Sequence, residues 1–141
     1  MNTFFKDNQS LIAPAGRVLL ALIFIMAGLQ KIPGYTATQG YMEAMGVPGA
    51  LLPLVIALEA LGGIALAIGW QARSAAFLLA GFSIVSGALF HLIPSFAMTG
   101  MEAQMQTIMF MKNLAIAGGL LMVVALGAGP VSLAGRQEQP A

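Results

Sequence analysis

Residues 49–70 read GALLPLVIALEALGGIALAIGW, and this stretch decides the fold. A hydrocarbon core about 30 Å thick needs about 20 predominantly apolar residues at a helical rise of about 1.5 Å each. The stretch meets that length, and its only ionisable side chain is Glu59. Working outward, three further segments have the same character. Residues 14–32 open with Pro14, which suits a first helical turn, and stop at Pro33-Gly34. Residues 74–93 end before Pro94. Residues 108–126 run into Gly127-Ala128-Gly129-Pro130. No alternating strand pattern competes, since barrel strands are about ten residues long and half polar. The fold class is therefore all-α: a four-helix transmembrane bundle with short loops, read as one membrane domain over residues 1–141.

Composition agrees. Of 141 residues, 59% are hydrophobic and 8% charged, against about 25% charged in a typical soluble domain. Six basic and five acidic residues cannot cover a water-soluble globule of this size, so membrane lipid is the partner that solvates it. The net charge of +1 excludes nucleic acid, which calls for a basic patch or stripe. The absence of cysteine excludes disulfides, thiolate metal sites, iron–sulfur clusters and thiol redox chemistry in this chain. A single histidine, His91, excludes a bis-His haem within one chain. The ten methionines read as flexible apolar filler. The first apolar run is read as a span and not as a cleaved signal peptide: Arg17 lies late, Asp7 precedes it, and no A-x-A-like site follows.

With four spans, Lys6, Arg17, Arg73 and Arg136 fall on one side and Lys31 and Lys112 on the other. The positive-inside bias then places both termini in the cytoplasm of a multi-pass membrane protein. Trp70 beside Arg73 fits an interfacial anchor. The loop from Pro33 to Pro48 lies outside, where residues 36–45 form a short helix on the membrane, with Tyr35, Tyr41, Met42 and Met45 as its apolar side.

Ionisable residues within spans are costly and usually face the bundle interior. Their spacing here fits that rule. Arg17, Ala21, Phe24, Gly28 and Lys31 share one face of the first span. Glu59, Gly63 and Ala67 share a face of the second, and Ala76, Ala80, Ser83, Gly87 and His91 of the third. Lys112, Ala115 and Gly119 share a face of the fourth, with Asn113 and Ala117 beside it. The small residues that let helices approach closely thus travel with the charges. By depth, Lys31, His91, Lys112 and Asn113 cluster toward the outer side and Arg17 toward the inner. Glu59, about 15 Å into its helix, lies between.

Each residue keeps two readings at this point. Arg17, Lys31 and Lys112 either snorkel to an interface or turn inward. Glu59 either forms a structural ion pair with Arg17 or Lys112, within a polar stripe of Arg17, Lys31 and Glu59, or handles a proton or ligand. His91 is an interfacial hydrogen-bonder or a ligand-binding group, and Asn113 a helix-to-helix bond worth about 1 kcal/mol. Glu59, His91, Lys112 and Asn113 form the candidate ligand-binding set. No catalytic motif is present: no G-x-G-x-x-G after a strand, no P-loop, no H-E-x-x-H, no G-x-S-x-G. One histidine with Glu59 or Glu102 is a weak metal donor set, so no metal is assigned.

Several motifs together resemble the DoxX family. They are Gly16-Arg17, Ala27-Gly28 and Lys31-Ile32, then Gly40-Tyr41-Met42 leading to Met45-Gly46-Val47-Pro48. Glu59 with Gly62-Gly63 and Gly69 follows, and Lys112-Asn113-Leu114-Ala115 with Gly118-Gly119 completes the set. The resemblance spans about residues 14 to 126. It implies a four-helix protein of the bacterial cytoplasmic membrane. It also implies an association with quinol oxidation and thiosulfate:quinone oxidoreduction, for which the family is named, and in some relatives with resistance to quinones or oxidants. It assigns no residue a role.

Three functions follow as expectations. The first is a redox-associated protein that binds a quinone or similar small hydrophobic compound, at most a component of a membrane oxidoreductase. Quinone carbonyls need donors and quinol formation needs protons, which His91 and Glu59 offer. Electrons would come from a partner or bound cofactor, with other membrane oxidoreductase subunits or a second copy of the chain as candidate partners. The second is a structural or assembly subunit whose stripe fixes helix register. The third is transport of a small solute or proton through Glu59.

Overall fold

The computed structural model describes residues 2–129 and 131–133. Helix α1 spans Asn2–Lys31 and α2 Tyr35–Ala44; a 3-10 turn at Gly49–Leu51 leads into α3, Leu52–Ile68. Helix α4 spans Ala72–Gly87, continued by a π turn, Ala88–Leu92, and a closing α turn, Ile93–Ser95; α5 spans Gly100–Leu126. Four helical segments are long and apolar enough to cross a membrane: Ser10–Lys31, Gly49–Ile68, Ala72–Ser95 and Gly100–Leu126. The described residues include no strand. The all-α, four-span expectation is met.

The ends of the spans differ from the sequence reading at three places, each for a local reason. Pro14 lies inside α1 and not in its first turn, because the helix begins at Asn2. Pro94 does not end α4. A proline ring lacks an N–H and crowds the carbonyl four residues back, and the π turn just before Pro94 loosens that contact so that the helix runs on to Ser95. The fourth span starts at Gly100, since the polar residues Glu102, Gln104, Gln106 and Thr107 are still helical. The α3–α4 turn is built as its composition suggests. Gly69, at φ +73°, accepts the left-handed conformation that closes a helix with two paired bonds. Trp70 N–H donates to Ala65 C=O at 2.9 Å and Gly69 N–H to Leu66 C=O at 3.2 Å.

Small residues set how closely the helices meet. A Cβ on Gly28 would stand 2.8 Å from Ala60 N, so α1 lies against the α3 backbone. A Cβ on Gly87 would stand 2.8 Å from Asn113 Cβ, which locks α4 to α5. The two pairs join through α3 and α4, whereas α1 and α5 touch only sparingly.

The bundle is solid at one end and hollow at the other. Ala21, Leu66, Ala72, Ala76, Leu79, Ala80, Ala117 and Leu120 fill the half nearer the α3–α4 turn. Large apolar side chains such as Leu22, Met26, Leu61, Phe77, Leu78 and Met122 point outward. In water such a surface would associate, but in lipid it is solvated.

Candidate functional site

The hollow half holds a cavity of about 460 Å³, within the size range of small-molecule sites. All four spans and α2 build it. Ile23, Phe24, Ala27 and Lys31 come from α1, Val55 and Glu59 from α3, Phe82, Ser83 and Ser86 from α4, and Asn113 and Ile116 from α5. Phe90 and His91 of the π turn and Thr38, Tyr41 and Met42 of α2 close its far end. Met42 is buried, and the Tyr41 ring stacks on Phe90 with centroids 5.5 Å apart. Helix α2 is thus a plug on the bundle as well as a surface helix.

One ion pair crosses the cavity wall. Lys31 Nζ lies 2.7 Å from Glu59 Oε2. Lys31 occupies the last turn of α1, and long helical side chains lean toward the helix N-terminus. That direction carries the amine down into the bundle, where it also donates to Ala27 C=O at 3.3 Å. Lys31 therefore does not snorkel outward. The expected partners of Glu59, Arg17 and Lys112, are not its partners, and both exclusions are geometric. Arg17 is fourteen residues before Lys31 on α1, about 21 Å lower at the helical rise. Lys112 is exposed on the flank of α5 and does not line the cavity, although its neighbour Asn113 does.

Arg17 has a separate task. It is only 4% exposed. Its guanidinium donates to Ala67 C=O from Nε at 3.3 Å and from Nη2 at 3.2 Å, to Val131 C=O at 2.8 Å, and to Ala128 C=O. Those carbonyls belong to the end of α3 and to the chain just after α5, where helices leave acceptors unpaired and a cation is favourable. Arg17 fastens three chain segments at the solid end and takes no part in the cavity.

Three further polar groups stand at the cavity. Ser83 is 1% exposed, and its hydroxyl has no hydrogen-bond partner among the described residues. His91 Nδ1 and Gln106 Oε1 are 2.7 Å apart; with the amide oxygen accepting, the proton sits on Nδ1 and Nε2 is the acceptor of the ring. Asn113 Nδ2 donates to Met109 C=O, four residues back on its own helix, at 3.0 Å. Of the candidate set, Glu59, His91 and Asn113 are brought to one cavity and Lys112 is not. Sequence reasoning took Ser83 as a small packing residue and passed over Gln106. The spacing Gln106, Met109, Asn113 on one helical face was the available signal for the latter.

The arrangement is a mostly apolar chamber with aromatic walls and a few convergent polar groups. Lys31 and Ser83 donate, while Glu59 and His91 Nε2 accept. These features define a multi-pass α-helical membrane protein with an intramembrane ligand-sized cavity. The DoxX family model matches residues 12–92. The chain is 45% identical over 117 residues to inner membrane protein YqjF of Escherichia coli (strain K12), covering 83% of this chain and 85% of that protein. It is 32% identical over 139 residues to inner membrane protein YphA of the same strain, covering 94% and 98%. No solved structure matches. The chain belongs to the DoxX family and is an integral inner-membrane protein.

Proposed function

We propose that this protein binds a quinone or a similar small, flat, hydrophobic compound inside the bundle, as a redox-associated component of the inner membrane. The observation that carries this reading is the pairing of an unpartnered buried hydroxyl, Ser83, with the Lys31–Glu59 ion pair in one apolar cavity. Buried polar groups are nearly always satisfied, and an orphan calls for a reason. A carbonyl-bearing ring supplies one, accepting from Ser83 and Lys31 while Phe24, Phe82 and Phe90 cover its faces. Electrons for any reduction come from a partner or a bound cofactor, since the chain has no cysteine and one histidine.

Organic extracts of protein purified in mild detergent test the reading. Wild type should retain a quinone-like molecule near one per chain, and the His91→Ala, Glu59→Ala double variant should lose it. Bulk lipid alone in both samples, identified by mass spectrometry, rejects ligand binding and favours an assembly subunit. The same reading takes both termini as cytoplasmic. In this cysteine-free chain, an impermeant maleimide should label Thr36→Cys from the periplasmic side and Gln71→Cys only after the membrane is opened; the reverse pattern inverts the topology.

A further inference from the structure

The cavity wall is not uniform. Helix α1 packs along α3, α3 on α4 and α4 on α5, but α1 and α5 meet sparingly, at contacts that include the solid end. There a Cβ on Gly119 would stand 3.1 Å from Leu20 Cδ2, and one on Gly129 3.2 Å from Ala13 Cβ. One turn further along, Ile23 and Ala27 of α1 and Ile116 of α5 line the cavity. Ile23 is 50% exposed, while Ala27 and Ile116 are half-buried. Ile23 thus lines the cavity and is open to the lipid, as are Leu51 and Val85 elsewhere on the wall. Across the chamber stand Glu59 and the unpartnered Ser83, deep between α3 and α4. The far end is a poorer route, because the buried Met42 and the Tyr41–Phe90 stack occupy it.

Polar atoms on one side and a lipid-facing gap on the other give the chamber a direction. Resting on the ligand reading above, we infer that the α1–α5 seam is the entrance and that the ligand is a bilayer-dissolved amphiphile with one apolar tail. The head meets Ser83 and the Lys31–Glu59 pair, and the tail lies between Ile23 and Ala27 on one side and Ile116 on the other. The tail gains little by leaving lipid for an equally apolar groove, so recognition resides in the head and the seam supplies passage. Lys112, four residues before Ile116 and on the same face of α5, stands exposed at the lip of this seam.

The experiment uses the whole chain in lipid nanodiscs and a decyl-tailed benzoquinone as probe. In an Ile23→Cys, Ile116→Cys variant, a bifunctional thiol reagent bridges the seam; the chain has no other cysteine. A Gln39→Cys, Gly49→Cys variant, at two positions that touch each other without lining the cavity, bridges α2 to the start of α3 instead. Bridging the seam before the probe is added should slow loading by about tenfold or more, and bridging after loading should slow release similarly, as for a closed lid. Bridging at α2 should change neither. Ala27→Leu, which narrows the seam without a cross-link, should slow loading in the same direction and guards against a cysteine pair that perturbs folding. Equal loading with the seam bridged or open overturns the entrance while leaving the cavity as the site. Slowed loading only on bridging α2 overturns it in favour of the far end. No binding by any unbridged form overturns the ligand reading and this inference together.

Discussion

Lys31 Nζ reaches Glu59 Oε2, at 2.7 Å, by pointing away from the nearer membrane surface and toward the bilayer centre. The Glu59 side chain is 6% exposed and that of Lys31 25%, so the pair is the only way the carboxylate is balanced by a cation among the described residues. Buried pairs add little net stability when intact, yet breaking one leaves an uncompensated charge that costs about 3–5 kcal/mol. Lys31→Met should accordingly lower stability by about that amount in detergent unfolding. A Lys31→Met, Glu59→Leu double variant should recover most of the loss. Additive losses in the two single variants and the double variant would show that the pair is not coupled.

Ser83→Ala separates stability from binding. The hydroxyl has no partner among the described residues, so removing it should leave stability unchanged or raise it by up to about 1 kcal/mol. Ligand retention should fall by about three- to tenfold, the equivalent of one hydrogen bond. A variant that retains its ligand as well as wild type would remove Ser83 from the site.

Arg17→Gln should do the opposite. Carbonyls of Ala67, Ala128 and Val131 lose their donor, at a cost of about 2 kcal/mol or more in total. Arg17→Lys should rescue little, because an ammonium lacks the planar fork that serves several acceptors at once. Retention of the ligand by the folded fraction should be unaffected, because Arg17 does not line the cavity and Lys31, which meets the ligand's head, stands about 21 Å further along α1. Extraction at saturating ligand measures it.

The glycines divide into two kinds that thermal unfolding should distinguish. Gly28→Ala places a methyl 2.8 Å from Ala60 N and should cost about 1–3 kcal/mol. Gly118→Ala meets nothing within 4 Å and should stabilise α5 by about 0.5–1 kcal/mol. Equal effects at both positions would mean that the α1–α3 contact is looser than its backbone distance implies.

Much of this architecture was legible in the residues, and the failures are instructive. Length and apolarity alone placed the spans, because lipid leaves the backbone few alternatives to a helix. Helical spacing put Glu59, His91 and Asn113 on inward faces. It did not reveal partners, since spacing along one helix says nothing about which way a long side chain leans or how far a neighbouring helix is shifted. The ion-pair reading gives Glu59 to Arg17 or Lys112, with Lys31 in the same polar stripe. The backward lean of Lys31 and the outward angle of Lys112 decided otherwise. Pro14 and Pro94 read as the start and the stop of spans and are neither: α1 already begins at Asn2, and α4 runs past Pro94 through a π turn, which no composition rule announces. Arg136 in the charge count lies outside the described residues.

The fastening by Arg17 has a mechanical consequence. Chain segments at the solid end are pinned together, while α1 and α5 otherwise touch only sparingly. A barrel stave held at one hoop moves only at its loose end. Opening is then a splay about a fixed corner, and the two leaflets act on it unequally. Acyl chains that raise lateral pressure in the leaflet around the hollow end should narrow the chamber and lengthen ligand residence. The same lipids confined to the opposite leaflet, in asymmetric vesicles, should leave residence unchanged.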